Sequence, residues 1–186
     1  METLLARAPC PVATYRSICA GIVGVDLRED LAEPLRRQFN GYYGVRRNVV
    51  WRERFYDRFE TAKSSKKSGR ALFAEVIEGI HDDTGRVEAS FASKLVATLR
   101  PDVPIIDSVV RKWLSTQGTT PPFKGGAEGV TAYYAWLCDV MQDLSQSPEA
   151  QDWGVVFEVA FPTAEGQVAI PAMKQLDFLI WAGAER

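Results

Sequence analysis

The sequence predicts an all-α fold, a compact single helical domain spanning 1–186 with at most one short strand, and three observations carry that expectation. Apolar residues recur at helical spacing in most segments, while clear period-two alternation is lacking. A chain of 186 residues with 46% hydrophobic and 11% aromatic content can bury one substantial core. Nothing reads as a flexible interdomain linker of useful length, an internal repeat or a low-complexity tract.

The elements follow in order. Residues 26–39 predict a helix with Leu27, Leu31 and Leu35 on one face. In the next segment Trp51, Phe55 and Phe59 fit one face of an amphipathic helix, with Arg52 and Arg58 on the other. Residues 71–80 place Leu72, Phe73, Val76, Ile77 and Ile80 on one side, and HDDTGR at 81–86 forms a turn. His81, the single histidine, reads as a polar helix end.

From 87 to 99, Phe91, Leu95 and Leu99 recur at helical spacing, and Ala92 and Val96 widen the stripe. Pro101 and Pro104 stop that helix, because proline lacks the amide donor and pushes Arg100 and Val103 into extended conformations. Asp107 stands immediately before Val109, Val110, Trp113 and Leu114, which fall on one helical face, so it is an expected N-cap. There its carboxylate meets the amides of the first turn and the positive end of the helix dipole, which favours the ionised form.

TQGTTPPFKGG at 116–126 predicts a loop, 130–144 a helix with a wide apolar stripe, and WGVVFEVAF at 153–161 either a short strand or a helix. Pro171 suits the first position of a last helix that turns Met173, Leu176, Ile180 and Trp181 inward.

The formal net charge is −2, but it is unevenly spread. Half of the basic residues lie between Arg36 and Arg70, against Glu53, Asp57 and Glu60 alone, and acids dominate beyond Trp113. Aromatics interleave with the basic run, a combination that can neutralise phosphates and stack on bases. Trp51, Phe55 and Phe59 read as core residues rather than stacking residues. Tyr42 and Tyr43, in the loop-like NGYYGVRRN, are the expected exposed stacking residues, with Arg46 and Arg47 beside them. Lys66 and Lys67, in the Ser-rich KSSKKSGR, form an expected solvated, phosphate-contacting loop. DNA is the expected partner of this half.

Cys10, Cys19 and Cys138 have no paired spacing, so reduced thiols, no metal and no cofactor are expected. METLLARAPCPVA lacks a signal-peptide apolar core, and no segment approaches the ~20 apolar residues that span a bilayer. A cytoplasmic protein without membrane contact is expected. The oligomeric state is left open.

The succession of hairpin, second helix, Pro-containing link and Asp at the mouth of the next helix resembles the helix-hairpin-helix DNA glycosylase superfamily, of which 8-oxoguanine DNA glycosylase is one type. It resembles more closely a little-described bacterial group with SFASKL (90–95), PI-x-D (104–107) and KxxDFxxW (174–181) segments. The resemblance to the glycosylases covers about the middle third of the chain, and it implies DNA binding, DNA repair chemistry and a catalytic Asp107. It also implies a phosphate-holding hairpin at Gly85 and Arg86, although the family's Gly-rich turn here retains only Gly85. Ser90 or Phe91 falls where bifunctional members carry a lysine nucleophile. Lys94 lies about one turn further on, either as a solvated outer-face residue or as a catalytic amine. The retained Asp and displaced Lys imply a monofunctional N-glycosylase, in which a carboxylate stabilises the cationic sugar and assists water. A non-catalytic helical module that binds nucleic acid or protein is the alternative.

Overall fold

The computed structural model describes residues 9–119, 121 and 126–184. Among them lie nine α-helices and no strand: α1 (Pro9–Gly24), α2 (Glu33–Tyr43), α3 (Val49–Lys63), α4 (Gly69–Thr84), α5 (Ala89–Leu99), α6 (Ser108–Thr116), α7 (Gly126–Ser145), α8 (Pro148–Ala160) and α9 (Ala172–Gly183). Residues 120 and 122–125 of the expected loop lie outside the described residues, as do 1–8, 185 and 186.

Two helices are enclosed on every side. In α5 all residues from Ala92 to Thr98 are buried, and in α9 all from Met173 to Ile180. A helix without a wet face must sit in the middle of the packing. The others wrap these two: α4 packs on α3, α5 and α7, while α9 packs on α6, α7 and α8. The larger hydrophobic cluster runs through α1 to α7 and reaches Met173, Leu176 and Ile180 of α9. A smaller one joins Val12, Tyr15 and Cys19 of α1 to Phe157 of α8 and Phe178 and Leu179 of α9. Tyr42 and Trp153 pack against both clusters and tie them together.

Several expectations change at this level. The helix expected over 26–39 begins only at Glu33, after an Asp26 turn and a 3₁₀ turn at Asp30–Ala32. Pro34 explains the shift, because a proline is accommodated in a first helical turn and not in a helix interior. Leu31 is consequently exposed while Leu27 is buried. The 153–161 segment is helical, not a strand: Ser147 caps α8 through Ala150 N at 3.2 Å, and Pro148 occupies its first turn. Phe157 alone of that helix is buried, leaving Val155, Val156 and Val159 exposed. Trp181, expected inward, is 41% exposed. Helix α1, with Val12, Tyr15, Ile18, Cys19 and Ile22 buried along one side, had no counterpart in the sequence reading.

Candidate functional site

Asp107 is held by its approach. After α5, Val103 drops onto the start of α4, where a Cβ on Gly69 would come within 2.3 Å of Val103 Cγ1, so only glycine admits this close contact. The Tyr134 hydroxyl, from α7, donates to the Pro104 carbonyl at 3.0 Å. Ile106 N donates to Ser93 Oγ of α5 at 2.8 Å. The rigid link thus delivers Asp107 to the N-terminus of α6, where Oδ1 accepts from Val109 N at 2.7 Å. The expected N-cap is present. Ser93 and Tyr134, which fasten it, had no role in the sequence reading because their partners are backbone groups distant along the chain.

Lys94 is not on an outer face. It is 8% exposed, its Nζ donates to the Tyr43 carbonyl at 3.0 Å and lies 5.6 Å from the Phe91 ring centroid. Burial pushes its amine below the ordinary lysine range, against the attraction of Asp107 and Asp177 and with the repulsion of Lys174. Lys94 and Asp107, one turn and a whole link apart in sequence terms, therefore share one electrostatic neighbourhood.

Behind Lys94 stands a second charged pair. Lys174 Nζ and Asp177 Oδ2 of α9 lie 2.5 Å apart, both side chains under one-tenth exposed. Lys174 Nζ sits 4.9 Å from the Tyr15 ring centroid, 5.0 Å from Phe178 and 5.9 Å from Tyr43. Burial is the largest single influence on Lys174 and opposes its charge, but Asp177 with Tyr43, Tyr42 and Tyr15 together outweigh it and hold the ammonium well above the usual range. Asp177 Oδ1 is buried and has no hydrogen-bond partner among the described residues. Burial pushes Tyr15, Tyr42 and Tyr43 upward, so their phenols stay protonated. Segments 90–95, 104–107 and 174–181, noted in the sequence as separate motifs, thus carry Lys94 and the charged groups that act on its amine, Asp107, Asp177 and Lys174. The sequence signal for the α9 pair was the i, i+3 spacing of Lys174 and Asp177 within a helix that is apolar apart from them and Gln175.

The expected nucleic-acid residues fare differently. Tyr42 and Tyr43 are not exposed in a loop: α2 continues through Tyr43, which is 7% exposed, and Tyr42 is half-buried, its ring centroid 4.6 Å from that of Tyr43. Arg47 is bound to Glu88 at 2.8 Å, with its guanidinium 5.8 Å from the Trp51 centroid and 5.2 Å from Phe91. Lys67 pairs with Glu75 at 2.9 Å. Arg58 pairs with Asp83 at 2.5 Å, Arg54 donates to the Asp83 carbonyl, and Arg70 pairs with Asp139. Much of the basic run is thus neutralised internally. Arg46, Lys66 and Arg86 are exposed and form no ion pair among the described residues.

The 81–86 turn is also self-satisfied. Gly85 adopts φ 68°, the left-handed conformation that ends α4, and its amide donates to the His81 carbonyl at 2.7 Å. The Arg86 amide donates to Thr84 Oγ1 at 3.3 Å. Neither amide points to an unfilled acceptor position of the kind a phosphate would take.

Cys19 and Cys138 are free and buried, while the Cys10 side chain lies outside the described residues. Burial pushes Cys138 up to about 11. Among the described residues no group of three or more His, Cys, Asp or Glu is placed to hold a metal, and no helix is long and apolar enough to cross a membrane. A surface concavity of about 270 Å³ opens elsewhere, between α2 and α3, lined by Arg28, Asp30, Arg36, Arg52 and Asp57 among others.

Comparison with protein-family models, with curated proteins and with solved structures finds no match for this chain.

Proposed function

We propose that the chain is a DNA-binding, glycosylase-like protein whose reactive centre is Asp107, with Lys94 as its charged neighbour. The observation that carries this reading is the convergence of a rigidly delivered carboxylate at a helix N-terminus with a desolvated amine. A carboxylate held by a cap keeps its second oxygen available. In N-glycosidic cleavage the base leaves with the electron pair of the C1′–N bond, and a cationic sugar develops. Asp107 would stabilise that cation and take the proton of the attacking water.

The test is release of free base from duplexes carrying single oxidised, alkylated or deaminated bases. Expected is release that leaves an intact abasic strand and gives no covalent adduct with borohydride. An adduct lost in Lys94→Gln would transfer the nucleophile's role from water to the amine.

A second reading is favoured by one specific observation, the internal pairing of Arg47, Arg58, Lys67 and Arg70 and the spent Gly85 amide. These leave few cations for a phosphate backbone, as in a non-catalytic helical module that binds nucleic acid or protein. Absence of base release across the whole substrate series, with the fold intact, selects that reading.

A further inference from the structure

We propose that α8 is a docking surface for a second copy of this chain, whose basic start of α3 and 83–88 turn seat on the acidic, valine-faced stripe of α8. The inference is independent of the chemistry proposed for Asp107.

Helix α8 turns most of its apolar residues outward. Of its 13 residues only Phe157 is buried, while Val155, Val156 and Val159 are 67%, 38% and 79% exposed. With Asp152 they stand at i, i+3, i+4 and i+7, so they form one stripe along the helix, the spacing by which a helix presents anchors to a partner. Single exposed valines are ordinary, whereas a contiguous apolar stripe rimmed by charge marks an interaction site. The charge around it has one sign. Glu149, Asp152 and Glu158 flank the valines, and residues 126–173 contain no Lys, Arg or His.

A surface of matching composition lies on the same molecule. Val49 and Val50, in the first turn of α3, are 57% and 58% exposed, and Val87 is 37% exposed. Arg47 holds Glu88 at 2.8 Å and Arg54 donates to the Asp83 carbonyl, so the 83–88 turn is drawn against the start of α3. Arg46 and Arg86 border this region, both exposed and without an ion pair among the described residues. Both carboxylates of the turn, Asp83 and Glu88, are already engaged by Arg58 and Arg47. Within one copy the two surfaces stay apart, because α3 packs mainly on α4 and α5 while α8 packs mainly on α7 and α9.

Charge selects the pairing. Two α8 stripes face to face would juxtapose Glu149 and Asp152 of both copies, and two basic surfaces would juxtapose Arg46 and Arg86; either like-charge contact opposes association. Basic against acidic instead joins opposite charges at the rim and covers valines of both sides at the centre, as interfaces are generally built. Three valines a side make a small apolar centre, so the association is weak and sensitive to both concentration and salt.

Sedimentation velocity of the full chain over a concentration series, in about 50 mM and about 500 mM salt, tests this. Expected is a weight-average mass that rises with concentration at low salt, with the dissociation constant larger by about tenfold or more at high salt. Two charge-reversed proteins are then compared, Arg46→Glu with Arg86→Glu and Glu149→Lys with Asp152→Lys. Each alone should stay monomeric, because like charges now face each other across the contact. Their equimolar mixture should associate again, because the acidic surfaces of one meet the basic surfaces of the other. Val155→Ser with Val159→Ser changes no charge and should also abolish association, and it decides the matter if a reversed protein loses its native dichroism. A wild type that stays monomeric throughout the low-salt series overturns the proposal and leaves α8 to a different partner. Association that survives in any of the three folded variants, or a mixture that stays monomeric, overturns it as well.

Discussion

Replacing Asp107 separates a cap from a catalyst, because the two roles use different properties of one side chain. The cap needs an oxygen that accepts from Val109 N, a 2.7 Å bond at the start of a nine-residue helix. Asn supplies that oxygen, and Asn and Asp cap about equally, so Asp107→Asn loses only the charge–dipole attraction, about 0.3–1 kcal/mol. Ala supplies nothing and costs about 1 kcal/mol through the cap, with the dipole contribution in addition. For a chain of this size each kcal/mol moves the melting midpoint by roughly 2–4 °C. Thermal melts should therefore rank wild type first, Asn about 1–4 °C below it, and Ala lowest. Catalysis needs the negative charge, so base release should fall by about a hundredfold or more in both variants alike. Equal melting midpoints for Asn and Ala would refute the cap; base release unchanged in the Asn variant would refute the catalytic role.

Three further outcomes are expected. Arg46→Ser with Arg86→Ser should weaken DNA binding uniformly across sequences and flatten the slope of log affinity against log salt by about one per lost phosphate contact, with the melting midpoint unchanged. Arg47→Ala should instead lower stability, through loss of the Glu88 pair and of two aromatic contacts, and a stable Arg47→Ala protein with a reduced salt slope would reverse that assignment. Gly69→Ala should cost about 1–3 kcal/mol in denaturant unfolding, because the added Cβ would come within 2.3 Å of Val103 Cγ1 and Val103 would have to move. The pH dependence has a definite sign at each end. Burial raises Tyr43, Tyr56 and Tyr134, so their contribution is full below about pH 10, the unfolded value, and is lost as pH rises above it. Arg58 holds the half-buried Asp83 below the usual carboxylate value, so that pair's contribution is present above about pH 4 and fades as pH falls through the lowered value. Tyrosinate absorbance rising near pH 10 while the near-ultraviolet dichroism stays native would contradict the alkaline half; an acid midpoint unchanged in Asp83→Asn would contradict the other.

By itself the sequence determined the helical class, the central hairpin-like succession of α4 and α5, the proline-bounded link and the cap at Asp107. All of these are written in local codes: the spacing of Leu72, Phe73, Val76 and Ile77, the missing amides of Pro101 and Pro104, and an Asp placed before a helical stripe. It also carried the signs of one correction, Pro34 for the start of α2, and of one open choice, the Ser147–Pro148 cap that makes α8 a helix. Only the tertiary structure decided how the charges are used. Whether Arg47 faces a phosphate or Glu88, and whether Lys94 meets water or the Tyr43 carbonyl, depends on partners 41 and 51 residues away. Such pairings leave no periodic trace, because a salt bridge or a buried amine is set by where two helices cross and not by the spacing within either one. The same holds for Lys174 and Asp177. One turn of α9 brings them together, but only the enclosure of α9 by its neighbours makes them a buried pair.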